Sequence, residues 1–240
     1  MVDPAITVAY TVSLIGLVFG IGIGLALLRG ETVDNNAGQF KWLLLIPGFA
    51  AFSYLMMVLE VGVIPVGDNQ VYLFRYIDWL VTTPILVGYV GYVAGAPRKW
   101  IVGVAVADAL MIVTGTAATL MTGIATWIGF GVSAGFHLAL LAILYLVFPR
   151  YARQNPKRRR LFRILQNHVG LLWIAYPVIW LTSPAGFGYV SVVGTAMIIA
   201  YLDVVAKTPY VYFVYREQSA FSTEPLGTDA DPIEHASATA

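Results

Sequence analysis

Ile198-Ile-Ala-Tyr-Leu-Asp-Val-Val-Ala-Lys-Thr-Pro-Tyr-Val-Tyr-Phe-Val214 is an apolar run broken by one carboxylate, Asp203, and one amine, Lys207. An unpaired ammonium at bilayer depth costs several kcal/mol, so a lysine there points to a functional site and demands a partner. Asp203, one helical turn earlier, is the first partner. Composition agrees that such a run lies in lipid. The 240 residues are 59% hydrophobic and only 11% charged, against about 25% charged in soluble domains. Without cysteine, disulfides, thiolate chemistry and sulfur-ligated metals are excluded.

Stretches of about 20 apolar residues predict seven membrane helices over 6–28, 41–63, 72–94, 100–121, 125–148, 162–182 and 189–214. The chain therefore reads as an all-α membrane protein, a seven-transmembrane-helix bundle, multi-pass in the cell membrane with the lipid bilayer as first partner. The first span is too long and Gly-rich for a cleaved signal peptide, and its flank Met1–Pro4 carries no positive charge. Twelve of the fourteen Lys/Arg lie in the first, third and fifth connections or after the seventh span. The positive-inside rule makes that side cytoplasmic, with the N-terminus extracellular and the C-terminus cytoplasmic. The basic run Arg150–Arg163 reads as a topology determinant, with an anionic-lipid or partner contact as the alternative. Residues 1–218 form one domain without internal repeats, and the polar, acidic tail 219–240 is expected to be disordered.

The two remaining basic residues, Arg75 and Lys207, are intramembrane. Arg75 and Asp78 are three residues apart and Asp203 and Lys207 four apart, so each pair shares a helix face. With both helices running outside to inside, two carboxylates lie extracellular of Lys207, and Arg75 lies beyond them to offset their repulsion. A salt-bridge network that only fixes packing is the alternative. Aromatic spacing argues against it. Trp173, Tyr176, Pro177 and Trp180 form one stripe on the sixth span, Trp79, Thr82, Thr83 and Pro84 follow Asp78, and Asp108, Met111, Ile112 and Gly115 recur at helical spacing on the fourth. Together they describe an indole-walled slot ended by a lysine, suited to an elongated conjugated aldehyde that a buried amine captures as a Schiff base.

Arg75-Tyr-Ile-Asp78-Trp79-Leu-Val-Thr82-Thr83-Pro84, Trp173-Ile-Ala-Tyr176-Pro177-Val-Ile-Trp180 and Leu202-Asp203-Val-Val-Ala206-Lys207 resemble the third-, sixth- and seventh-helix signatures of the microbial (type 1, archaeal) rhodopsins. The resemblance implies retinal bound to Lys207 as a protonated Schiff base, Asp78 as counterion and proton acceptor, Asp203 as second counterion and Arg75 in an extracellular hydrogen-bond network. It further implies that Tyr54 and Tyr176 bond Asp203. Trp79, Met111, Trp173 and Trp180 would line the polyene, next to Pro177 and Ala206. Thr82 and Thr83 would bond into the Schiff-base region and toward Asp108. Phe130 and Ser133 are further pocket candidates, on a fifth helix whose register is set only to within one or two residues. His137 reads as a packed, hydrogen-bonded histidine, with a place at the ring end of the pocket as the alternative, and His168 as solvated. Glu60 and Asp68 read as extracellular polar groups, and Pro65–Tyr72 as a hairpin.

Tyr89 lies eleven residues past Asp78, about 16 Å further along the helix and offset by about 20°, where efficient proton pumps of the resembled family carry a carboxylic acid. A phenol with pKa near 10 is a poor proton donor, so the cycle should be slow, as suits a sensor. The segment Thr182–Ala200 contains no carboxylate, and Ala185 and Thr195 stand where bacteriorhodopsin-type pumps would carry glutamates. Tyr201, about 160° from Asp203, and Ser191 resemble positions at which sensory rhodopsin II meets its two-helix transducer. Interfacial anchoring and helix initiation are their alternatives. Ala206 and Asp108 are pump-like, a mixture resembling the middle rhodopsins, between pumps and sensory rhodopsin II. The expectation is a retinal-based photoreceptor, not an enzyme, that passes a proton to an aspartate and signals slowly to a membrane transducer in phototaxis. A slow light-driven outward proton pump is the alternative. A homo-oligomer is a further partner to consider, whereas no metal and no nucleic acid are expected.

Overall fold

The computed structural model describes residues 3–29, 37–66, 69–154 and 156–221, and contains seven helices long and apolar enough to cross a membrane. α1 (Pro4–Leu28) is opened by Pro4 and by the Asp3 carboxylate, which accepts from Ala5 N at 2.8 Å. α2 (Ala37–Val58) stops short of the predicted 63, because the chain turns through Glu60 (φ 56°) and Gly62 (φ 71°) into a hairpin of β1 (Val63–Val66) and β2 (Asn69–Tyr72). The hairpin thus starts at Val63, which pairs with Tyr72. Gly67 and Asp68, which the sequence places within the hairpin, lie outside the described residues. α3 (Leu73–Ala94) ends on Gly95 (φ 74°), whose N–H donates to the carbonyls of Gly91 and Tyr92. α4 is Arg98–Leu120.

Prolines shape the next two crossings. The fifth comprises α5 (Ile124–Ala142), a π-turn (Ile143–Val147) and α6 (Phe148–Ala152). Pro149 offers no N–H to the Tyr145 carbonyl, and the hydrogen-bond ladder changes register there. The sixth comprises α7 (Pro156–Trp173) and α8 (Ala175–Thr182). Pro177 deprives Trp173 in the same way, and the helix breaks between them. α7 begins at Pro156 rather than 162, because the basic turn Lys157–Arg160 is helical although it is not apolar. α9 (Val192–Arg216) is capped by Ser191 Oγ, which accepts from Gly194 N at 3.1 Å.

The crossings close into a ring: α1 packs on α2 and α9, α3 on α2, α4 and α7, α4 on α5, and α7 on α9. Gly20 marks a tight seam between α1, α2 and α9. A Cβ there would stand 2.6 Å from Thr208 Oγ1 and 3.2 Å from Pro47 Cβ. Beyond α9 the tail does not become irregular at 219. A 3₁₀ turn, Gln218–Phe221, buries Phe221 against Phe40 (ring centroids 5.4 Å) and Tyr92 (6.2 Å), with the Arg158 guanidinium 4.7 Å from its ring. One aromatic ring extends order past the polar boundary; residues 222–240 of the predicted disordered tail lie outside the described residues.

Candidate functional site

α3 and α9 bring the predicted charges together inside the bundle. Lys207 is 1% exposed, with Nζ 2.5 Å from Asp78 Oδ2 and 3.7 Å from Asp203 Oδ1. The two carboxylates are held differently. Asp203 accepts from Tyr54 Oη (2.8 Å), Tyr176 Oη (2.8 Å) and Trp79 Nε1 (3.0 Å). Asp78 accepts from Lys207 on one oxygen and from Thr82 Oγ1 (3.2 Å) on the other. Three elements, α2, α3 and α8, donate to Asp203, whereas Asp78 keeps acceptor capacity on the oxygen that faces the amine.

Arg75 touches neither carboxylate: among the described residues no carboxylate oxygen lies within 4.0 Å of it. Its Nη2 donates to Tyr10 Oη at 2.6 Å, and Cζ sits 5.5 and 5.9 Å from the ring centroids of Tyr10 and Tyr72. Two buried aromatic faces, one from α1 and one from β2, reach the guanidinium first. Burial pushes the Tyr72 phenol up to about 12, so this wall is neutral at ordinary pH and offers Arg75 a π-face rather than a charge.

Beside the ion pair lies a cavity of about 500 Å³ walled by Trp79, Met111, Trp173, Tyr176, Pro177 and Trp180, with Ala206 and Lys207 also lining it. From the fifth crossing Phe130 and Ser133 line the cavity too, Phe130 stacking on Trp180 (4.3 Å, 12°) and Ser133 Oγ donating to the Met111 carbonyl at 2.8 Å. Gly115 opens the slot, because a Cβ there would stand 3.0 Å from Ser133 Oγ. Tyr54, Asp78, Thr82 and Asp108 are not in the wall but behind it, where Asp108 accepts from Thr83 Oγ1 at 2.6 Å. A cavity of this size, apolar along its sides and reached by one amine, has the character of a small-molecule pocket and fits an elongated conjugated aldehyde.

Residues 4–218 match the family model described as bacteriorhodopsin-like protein. The chain belongs to this family. Members of the bacteriorhodopsin-like family bind retinal. The chain is 46% identical over 227 residues to sensory rhodopsin-1 of Halobacterium sp. (strain SG1), covering 95% of this chain and 92% of that one. Identity to sensory rhodopsin-2 of Haloarcula vallismortis is 34% over 209 residues, covering 85% and 87%. The crystal structure of cyanorhodopsin from Calothrix sp. NIES-2098 superposes with a TM-score of 0.84 at 31% identity, covering 92% of this chain and 98% of that one. The family is the one the motifs resemble, but the identities run higher toward sensory rhodopsin-1 than toward the sensory rhodopsin II side that Tyr201 and Ser191 suggested.

Other residues fall into place around this rhodopsin pocket. His137 lines the cavity and is buried, yet its Nε2 has no hydrogen-bond partner, contrary to the expected bonded core histidine. His168 is half-buried rather than fully solvated: its Nε2 lies 3.1 Å from the Ala206 carbonyl, the peptide preceding Lys207. Pro209 disturbs the helical ladder just there by withholding an N–H from Val205, and the ring inserts beside it. Tyr89 is buried near Tyr210, ring centroids 6.4 Å apart, with its hydroxyl unpartnered. Tyr201 faces outward at 67% exposure. Ser191 caps α9, so helix initiation accounts for it. Sequence reasoning missed three contacts: Tyr10 to Arg75, Trp79 to Asp203, and His168 to Ala206. Each depends on how two distant helices rotate against one another, and only the alignment of Tyr10 with Ser13, Leu17 and Gly20 on one face of α1 hinted at the first.

Proposed function

We propose that the chain is a photosensory receptor that carries retinal on Lys207, with Asp78 as counterion and proton acceptor and Asp203 as second counterion. The observation that carries this reading is Lys207 Nζ at the side of an apolar slot, 2.5 Å from Asp78 Oδ2 and 3.7 Å from Asp203 Oδ1. Retinal, held by Lys207, would supply a conjugated chromophore that isomerises in light. The residues of the chain then do the rest. Trp79, Trp173 and Trp180 would enclose the polyene, Asp78 Oδ2 is placed to take the proton from the Lys207 nitrogen, and Thr82 steadies the other carboxylate oxygen. Tyr54, Tyr176 and Trp79 hold Asp203 as a fixed charge, so that the change is confined to Asp78. The His168 contact with the peptide before Lys207 gives α7 a direct link to the reacting residue, by which the event reaches the surface.

Signalling rather than pumping is supported by Tyr89, a phenol where an acid would be needed for fast reprotonation, and by the identities to proteins named sensory rhodopsin. Within that group the reading is of a sensory rhodopsin I type. The proposed partner is a membrane transducer meeting the outward face of α9 around Tyr201, with the N-terminus extracellular. The test is illumination of vesicles containing the reconstituted chain in unbuffered medium. A sensor gives a slow photocycle without sustained proton translocation, whereas uncoupler-sensitive, continuing acidification on the extracellular side would establish the slow pump instead.

A further inference from the structure

Arg75 is 7% exposed and shares the cavity lining with Asp203 and Lys207, yet it contacts neither carboxylate. A flexible cation beside two buried anions closes on one of them unless something holds it back. The holding contact comes from Tyr10, whose Oη, on a fully buried ring, accepts from Arg75 Nη2 at 2.6 Å. Tyr10 is itself fixed edge-on between Tyr54 (5.7 Å) and Tyr72 (5.2 Å), so its hydroxyl cannot follow the arginine inward. Arg75 Nε finds no partner at all, a cost that the Tyr10 and Tyr72 faces offset. We propose that Tyr10 is a positioning residue that holds Arg75 off Asp78 and Asp203, and so sets the pH at which the counterion changes charge and the pigment changes colour.

The inference rests on the retinal reading of the site. The charged and titratable groups around Asp78 come from every packed element: Tyr10 on α1, Tyr54 on α2, Tyr72 on β2, Arg75 and Tyr76 on α3, Asp108 on α4, Tyr176 on α8, Asp203 and Lys207 on α9. Of these, the mobile charge is Arg75. Bringing a cation from about 8 Å to about 4 Å from a carboxylate doubles their attraction, which corresponds to a shift of about one pH unit or somewhat more.

The experiment is an acid titration of the visible band of the full, retinal-reconstituted chain in membranes. Tyr10→Phe keeps the ring contacts and removes the hydroxyl; the midpoint of the acid-induced colour change should fall by about one pH unit. Tyr10→Leu gives the same shift and serves if the Phe variant does not fold. Tyr72→Phe, which removes a phenol not bonded to Arg75, should leave the midpoint in place. In an Arg75→Gln background Tyr10→Phe should have no effect, which a merely structural role for Tyr10 would not produce. An unmoved or raised midpoint in both Tyr10 variants, or an equal shift without Arg75, overturns the proposal while the band itself upholds the retinal reading. Absence of any visible band in the parent chain overturns both.

Discussion

Asp78→Asn removes the charge nearest Lys207 while keeping the shape of the side chain. At an effective dielectric of about 20, a unit charge 2.5 Å from Nζ contributes about 7 kcal/mol and one at 3.7 Å about 4–5 kcal/mol. Relaxation and the surviving Asp203 reduce the net loss toward the roughly 3–5 kcal/mol typical of breaking a buried pair. The cation on the Lys207 nitrogen is therefore destabilised, and the pigment should bleach with alkali about two to four pH units lower than the parent. The sign follows from the charge: removing an anion favours the neutral nitrogen, so the cationic band is lost earlier as pH rises. The assay is a spectrophotometric alkaline titration of the reconstituted protein. It is paired with flash photolysis, in which the short-wavelength deprotonated intermediate should disappear because its acceptor is gone. Asp203→Asn should be the less harmful change in the flash experiment, because the acceptor at 2.5 Å remains. An Asp78→Asn protein that still forms the deprotonated intermediate at the parental rate, with an unmoved alkaline midpoint, would refute the assignment of Asp78.

Two further expectations concern the scaffold. Gly20→Leu forces a side chain into a seam where even a Cβ meets Thr208 Oγ1 at 2.6 Å; overpacking of about 1–3 kcal/mol should lower the thermal bleaching temperature, measured by loss of the visible band on heating. Phe221→Ala empties the site between Phe40, Tyr92 and Arg158 at a cost of about 3 kcal/mol or more. It should reduce thermal stability without moving the absorption maximum, because the clasp does not border the pocket. A changed maximum would mean that the tail communicates with the chromophore in the dark.

Much of this molecule was legible because lipid imposes a strict syntax. Seven apolar runs had to be helices, and charges within them had to meet, so Lys207, Asp78 and Asp203 could be paired from spacing alone. The same logic left the direct partner of Arg75 open, since burial demands one without saying which; the Tyr10 hydroxyl and an aromatic cage from α1 and β2 supply it. Helix limits erred where polarity and structure part company, as at the basic first turn of α7 and at Phe221, whose ring is invisible to a reading based on the polar residues around it. The breaks at Trp173 and in the π-turn follow from Pro177 and Pro149, but the way His168 comes to lie beside Ala206 depends on the relative rotation of α7 and α9, which no local pattern encodes. The leaning toward sensory rhodopsin II came from isolated surface residues, one of which, Ser191, is accounted for by capping.

The central claim is that Lys207 holds the chromophore. Adding all-trans retinal to the apoprotein in membranes and comparing the parent chain with Lys207→Ala tests it most directly. The parent should develop a visible band, and mass spectrometry after borohydride reduction should find the retinyl group on the peptide containing Lys207. The alanine variant should show neither. A visible band of parental intensity in Lys207→Ala, or a reduced adduct on another residue, would contradict the account.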